Sequence, residues 1–227
     1  MKHEKYELSD ALDRMGAILS GNGEQYRKYT YIPEAELLEG NRGSFVECVV
    51  IVSRLYFVDK GLNPLGLAKI FDMYEGEAKL ILAEHSLCRK ITAQGYTITG
   101  IYNIGTTDYM SELLDVAGKL GTLPSVINTK VGRKDNPIIK NVCALEKGVL
   151  FATQTPEGID YFGNMINRAE GWLTKAVGYK EKGLYVSEQV RSALKSRYQD
   201  FFNETDEEDV LHGNVENIGM ARWIKEQ

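Results

Sequence analysis

The side chains that most often carry chemistry are sparse in this chain. Three histidines, His3, His85 and His212, stand far apart in sequence. His85 falls at a predicted helix end, where its first role is with the helix dipole. The three cysteines, Cys48, Cys88 and Cys143, are odd in number and widely spaced, with no CxxC pair. That pattern fits buried, inert thiols in a cytosolic protein better than a metal site or a disulfide framework. There is no phosphate-binding loop ending in Gly-Lys-Ser/Thr, no HExxH pair and no GxSxG elbow. Phosphate cradling by a P-loop, zinc hydrolysis and serine-triad chemistry therefore have no support in the sequence.

The chain has 227 residues, 43% hydrophobic and 26% charged, enough for one globular domain with a sizeable core. Its formal net charge of -5 supplies no basic field for nucleic acid. The N-terminal MKHEKYELSD is charged and lacks the apolar core of a secretory signal. No run reaches the roughly 20 apolar residues of a membrane helix. A cytoplasmic protein without membrane or nucleic-acid partners is the expectation.

Hydrophobic spacing gives the elements that must position any site. Leu8, Leu12, Met15 and Leu19 mark a helix stopped by Gly21-Asn22-Gly23. Residues 1–31 are read as an arm that packs on the domain or on a partner chain, and residues 32–227 as the domain. Phe45 to Ser53 is almost wholly apolar and β-branched, as in a strand buried on both faces. A helix follows on the stripe Leu67, Ile70, Phe71, Tyr74, Ala78, Ile81 and Leu82. Lys90 to Asn103 reads as two strands meeting at Gly95-Tyr96. Thr107 or Asp108 is placed to cap a helix through Met110, Leu113, Leu114, Ala117 and Leu120. A second strand pair is expected around Lys147-Gly148, then a helix over 159–176, a short strand at Leu184 to Val186, and a helix from Ser187 to Tyr198. Glu204 to Asp209 is expected to be a solvated acidic loop. This order contains a βαββαβ palm-like core, an α/β (α+β) sandwich with a mainly antiparallel sheet.

Several stretches, taken in order, resemble a known family. Tyr31-Ile32-Pro33 with Gly40-Asn41, then Val46-Glu47-Cys48, resemble the first strand of the class III nucleotide cyclases and its approach. Leu67 to Phe71 resembles the start of that family's first long helix. Cys88-Arg89-Lys90-Ile91, with Gly95 and Gly100 to Asn103, resembles its metal-site hairpin. Gly163-Asn164-Met165-Ile166-Asn167-Arg168-Ala169 resembles its Gly-Asp/Glu-x-Val-Asn-x-Ala segment, and Val186-Ser187 its late strand. His212-Gly213-Asn214-Val215, with Met220 and Trp223, resembles the closing segment of one branch, the pyrimidine cyclases of bacterial Pycsar antiphage systems. The resemblance runs from about residue 31 to the C-terminus.

The resemblance implies a site and marks what this chain lacks there. Such a cyclase joins the ribose 3′-oxygen to the α-phosphate, using two divalent ions held by two aspartates on adjacent strands. One aspartate ends the first strand; the other follows the hairpin glycine. Here those places hold Ser53, or Arg54 one residue on, and Tyr96 after Gly95; Ser53 and Tyr96 are 43 residues apart. Serine and tyrosine are poor Mg²⁺ ligands. Asp59, in Phe57-Val58-Asp59, is the rival first ligand, but it lies only 37 residues before Tyr96. Asn167 matches the asparagine that orients the ribose. Gly171 stands where the family often has an arginine, and Arg168 points about 100° per residue away from that place. Ser53, Arg54, Gly95, Tyr96, Gly163, Asn164 and Asn167 are thus the candidate nucleotide-binding residues.

Three readings follow from the resemblance. The first is a pseudocyclase of antiphage signalling that needs no metal cofactor and acts either as a nucleotide-binding subunit, with a pyrimidine nucleotide as candidate ligand, or as a subunit that regulates a partner, in a homodimer or a heterodimer with an active cyclase. The second is an active UTP or CTP cyclase using Mg or Mn on other carboxylates, among Glu47, Asp59, Asp108 and Glu112. Glu47 shares the face of Ser53 but lies about 20 Å along the strand. The third is a non-catalytic scaffold.

Overall fold

A computed structural model describes residues 6–20, 43–58, 61, 63–104, 109–133, 137–155, 158–178 and 183–214. Asp59, Thr107, Asp108, the Tyr31-Ile32-Pro33 and Gly40-Asn41 stretches, and the segment after Asn214 lie outside them. In chain order the elements are α1 (Leu8–Ser20), β1 (Gly43–Phe57), α2 (Pro64–Ala83), β2 (Cys88–Gln94), β3 (Thr97–Asn103), α3 (Met110–Lys130), β4 (Ile139–Thr155), β5 (Gly158–Phe162), α4 (Asn164–Gly178), β6 (Gly183–Ser187), α5 (Glu188–Ala193), α6 (Ser196–Gln199), β7 (Phe202–Glu204) and β8 (Val210–Gly213).

One eight-stranded sheet runs in the order β2-β3-β1-β4-β6-β8-β7, with β5 added to the far end of β4. Its pairings are antiparallel except for β4 with β6. The alternation of β1 decides which helix covers which side chain. Val49, Ile51 and Leu55 face a core built with α2 and α3. Cys48, Val50 and Val52 face a second core built with α4. The α2 helix opens on Asn63, whose Oδ1 accepts from Gly66 N at 2.8 Å, with Pro64 at the first turn. The α1 helix packs on the outside of the first core through Ala11 and Met15, joined by Tyr6 just before it. Arg14 bonds both carboxylate oxygens of buried Glu77 at 2.9 Å, and the Tyr6 hydroxyl donates to the same group.

Three local expectations are corrected. No turn forms at Lys147-Gly148: β4 is continuous, because β1 pairs with it from Gly43↔Thr153 to Phe57↔Ile139. A full-length partner outweighs the local preference of a Lys-Gly dipeptide. Gly148 instead makes room for Met165, whose Sδ would stand 3.2 Å from any added Cβ. Residues 158–162 form strand β5, with Ile159 and Tyr161 turned inward, and the helix begins only at Asn164. The helix from Ser187 ends at Ala193; extended backbone at Leu194 and Lys195 separates it from α6. Beyond it, β7 and β8 bracket the acidic stretch and place Glu204 in a strand.

Candidate functional site

The β2–β3 turn is built on Gly95, which has φ +56°, a conformation that side chains with a Cβ resist. It brings Tyr96 beside the end of β1, where Leu55 N donates to Tyr96 O at 2.8 Å. The Tyr96 ring is 53% exposed and stands edge-on to Phe57 and Phe71, with centroids 5.6 and 5.7 Å away. Here an aromatic trio occupies the end of the hairpin. Arg54 pairs with Thr97 and sends its guanidinium across to α4, donating to Thr174 Oγ1 at 2.7 Å.

Ser53 points the other way and has no exposed surface. Its hydroxyl lies 2.6 Å from Tyr74 Oη and 3.2 Å from Cys143 Sγ, and accepts from Asn141 Nδ2 at 3.0 Å. Asn141 also donates to Leu120 O at 2.8 Å. That carbonyl is available because Pro124, one turn later in α3, has no N–H to give it. The polar group in the core thus answers a proline in a helix.

The donor set for a divalent ion is poor. Ser53, Arg54 and Tyr96 bring no carboxylate. Among the described residues, no three histidine, cysteine, aspartate or glutamate side chains gather to hold a metal. Glu112 bonds His85 Nε2 at 3.0 Å, far from the hairpin in the fold, and Glu47 sits opposite Val149. Among the described residues, then, these positions do not make a two-metal centre, and Asp59, the rival ligand, lies outside them. Burial pushes the thiols of Cys48, Cys88 and Cys143 up to about 12, leaving them unreactive at neutral pH.

A cavity of about 480 Å³ opens on the α4 face of the hairpin. The sheet curls until β5 approaches β2: Lys90 forms an ion pair with Asp160 and donates to Ile159 O at 3.1 Å. Thr92, Thr97 and Thr99 form the floor, with Ile101 beside them. Asp160 and Tyr161 from β5, and Ile166, Asn167 and Glu170 from α4, form the wall. Tyr161 is 7% exposed, and its hydroxyl has no hydrogen-bond partner among the described residues. Burial pushes that hydroxyl up to about 12, with the Arg89 charge acting against the shift. Arg89 is the extra residue where the β2–β3 register shifts between Cys88 and Lys90. Its Nε is also buried without a hydrogen-bond partner.

Of the expected site residues, Asn167 lines this cavity and Gly95 and Tyr96 end its hairpin floor. Asn164 is exposed at the start of α4. Gly163 lets the helix start against β4: an added Cβ would stand 2.6 Å from Leu150 Cδ2 and 3.2 Å from Val149 O. Arg168 turns away from the cavity. Its guanidinium lies 3.6 Å from Glu146 Oε2 and over the Trp172 ring at 5.6 Å. Lys90, Thr92, Thr99, Asp160 and Tyr161 are not among the residues the sequence assigns to a site. The signal for the threonines was there, since Thr97 and Thr99 alternate with Ile98 and so share one face.

No known protein-family profile matches the sequence, and no curated protein matches it. Solved structures do. A crystal structure of the guanylyl cyclase Cya2 aligns with TM-score 0.58 at 14% identity, over 75% of this chain and 92% of that one. A bacterial light-regulated adenylyl cyclase aligns with TM-score 0.60 at 10% identity, over 82% and 60%. A class III adenylyl cyclase-like ATP-binding protein from Pseudomonas aeruginosa aligns with TM-score 0.56 at 13% identity, over 95% of this chain and 48% of that one. The chain therefore has a class III nucleotide-cyclase-like fold, an α/β palm-like core with a mixed sheet and packed helices. No described helix is long and apolar enough to cross a membrane.

Proposed function

We propose that this protein is a pseudocyclase: it binds a pyrimidine nucleotide in the cavity between hairpin and α4 without cyclising it, and serves antiphage cyclic-nucleotide signalling of the Pycsar type. One observation carries the reading. The hairpin end, where a cyclase needs a metal-binding carboxylate, presents Tyr96 packed between Phe57 and Phe71, while the polar cavity beside it persists. A cyclase-fold protein that binds a nucleotide has a precedent in the ATP-binding protein aligned above. The Pycsar assignment and the pyrimidine preference rest on the sequence segments that resemble that branch.

The active form is proposed to be a homodimer, or a heterodimer with an active cyclase. Val149, Phe151 and Phe162 support this. Phe151 faces Phe162 across the β4–β5 pair and Val149 is two residues along the same strand face, so the three form an exposed apolar patch.

Calorimetric titration of uracil and cytosine nucleotides, with Mn²⁺ present and chromatography of the mixture afterwards, tests the reading. Binding without a cyclic product is expected. Conversion of UTP or CTP to cUMP or cCMP well above a blank would overturn it.

A further inference from the structure

The lining of the hairpin cavity is poor in positive charge. Its single ammonium, Lys90, is held by Asp160, and Glu170 adds a second carboxylate, so the lining carries an excess of one negative charge. None of the other cations of β2 and α4, Arg89, Arg168 and Lys175, lines it. A chain of phosphates is ordinarily met by divalent ions and several basic groups. This lining has no unpaired cation, and no cluster of metal-ligating side chains exists among the described residues. It repels phosphate rather than holding it.

Neutral hydrogen-bonding groups, in contrast, are plentiful and accessible. Thr92, Gln94 and Asn167 line the cavity as exposed residues and Thr97 as a half-buried one. Among the described residues their side chains hold no hydrogen bond, and the half-buried Glu170 carboxylate holds no cation. Asn167 and Glu170 stand three residues apart on α4, which makes them neighbours on one face of the helix. A carboxylate only accepts, and so suits the two O–H donors of a vicinal diol; an amide beside it both donates and accepts. Those are the partners that a ribose needs. On the hairpin side, Thr92, Gln94 and Thr97 also donate and accept, as the edge of a base requires, and Ile166 gives apolar surface for its face.

We infer that the cavity recognises the nucleoside alone, with Glu170 and Asn167 on the 2′,3′-diol of the ribose and the phosphates left outside the lining. The inference rests on the nucleotide-binding reading above and names the part of the ligand that the protein holds. Glu170 becomes the residue that separates ribose from deoxyribose.

The test is calorimetry on the full chain in metal-free buffer containing EDTA. The probes are uridine, 2′-deoxyuridine, UMP and UTP, with the cytosine and adenine series beside them. Affinity is expected not to rise from uridine through UMP to UTP. Loss of the 2′-hydroxyl is expected to weaken binding about tenfold, since it removes a hydrogen bond to a charged group. Glu170→Ala changes a half-buried side chain on a helix surface, so the fold should stand, as a thermal melt will show. It is expected to weaken uridine about tenfold and to bring uridine and 2′-deoxyuridine within about twofold of each other. Binding that tightens tenfold or more from uridine to UTP would overturn the inference and leave the nucleotide-binding reading in place. A ribose preference that is absent from the parent, or unmoved by Glu170→Ala, would also overturn it. The same pattern for adenosine in place of uridine would uphold the inference and overturn the pyrimidine preference. Failure of every nucleoside and nucleotide to bind would overturn both.

Discussion

Ser53 and Glu146 show how one side chain is defined by its surroundings. Ser53 stands where the resemblance puts a metal ligand, yet its hydroxyl belongs to Tyr74, Asn141 and Cys143. Placing an aspartate there would set an uncompensated charge in the core. Ser53→Asp is expected to cost about 3–5 kcal/mol of stability, measured by urea denaturation, and Mn²⁺ is expected to restore none of it. Glu146 is 1% exposed, with Arg168 at 3.6 Å. Burial raises its carboxyl above the ordinary 4.5, while the Ser187 hydroxyl and Arg168 oppose the shift. The folded chain therefore holds this proton more tightly than the unfolded chain does. The stability that follows is complete below the ordinary carboxylate value and is lost as pH rises through the raised one. Glu146→Gln should accordingly melt higher than the parent at about pH 7, with the advantage shrinking toward about pH 4.5. An advantage that grows on acidification would contradict this assignment.

At the scale of elements, α3 and β4 depend on each other through one side chain. Pro124 deprives Leu120 O of its helical donor, and Asn141 on β4 supplies another at 2.8 Å. Asn141→Leu should cost about 1–3 kcal/mol, because it leaves a buried carbonyl and the Ser53 hydroxyl short of a donor. With Pro124→Ala in the background, the alanine N–H can return to Leu120 O, and the cost should fall. A double-mutant cycle by denaturation is expected to give a coupling of about 0.5–3 kcal/mol. Neither β4 nor this link was legible in advance. Lys147-Gly148 carries turn composition, and only the register with β1 makes the segment one strand. The helices α2 and α3 were legible, because their apolar stripes repeat at the helical period whatever they pack against.

For the whole molecule, the long β1–β4 pair carries β5 out beside the helices. There Val149 and Phe162 are 53% and 56% exposed. If this is the surface on which two chains meet, Val149→Glu with Phe162→Glu should convert a dimer into a monomer by light scattering, with the circular dichroism spectrum retained. A chain that is monomeric before the change would refute the homodimer. The same curl of the sheet creates the candidate site, since it brings Asp160 of β5 to Lys90 of β2.

Sequence alone was enough to establish the palm-like order of elements, the hairpin at Gly95-Tyr96 and that neither of its turn residues is a carboxylate. Each is a local property, written in residue type and period. The tertiary structure decided that Ser53 is a core group, that Tyr96 closes an aromatic trio, and that Asn167 looks across a cavity at threonines some seventy residues earlier in the chain. Those facts depend on which face of a strand meets which helix and on how far a sheet bends. Both are set by pairings between distant segments, which no local pattern encodes.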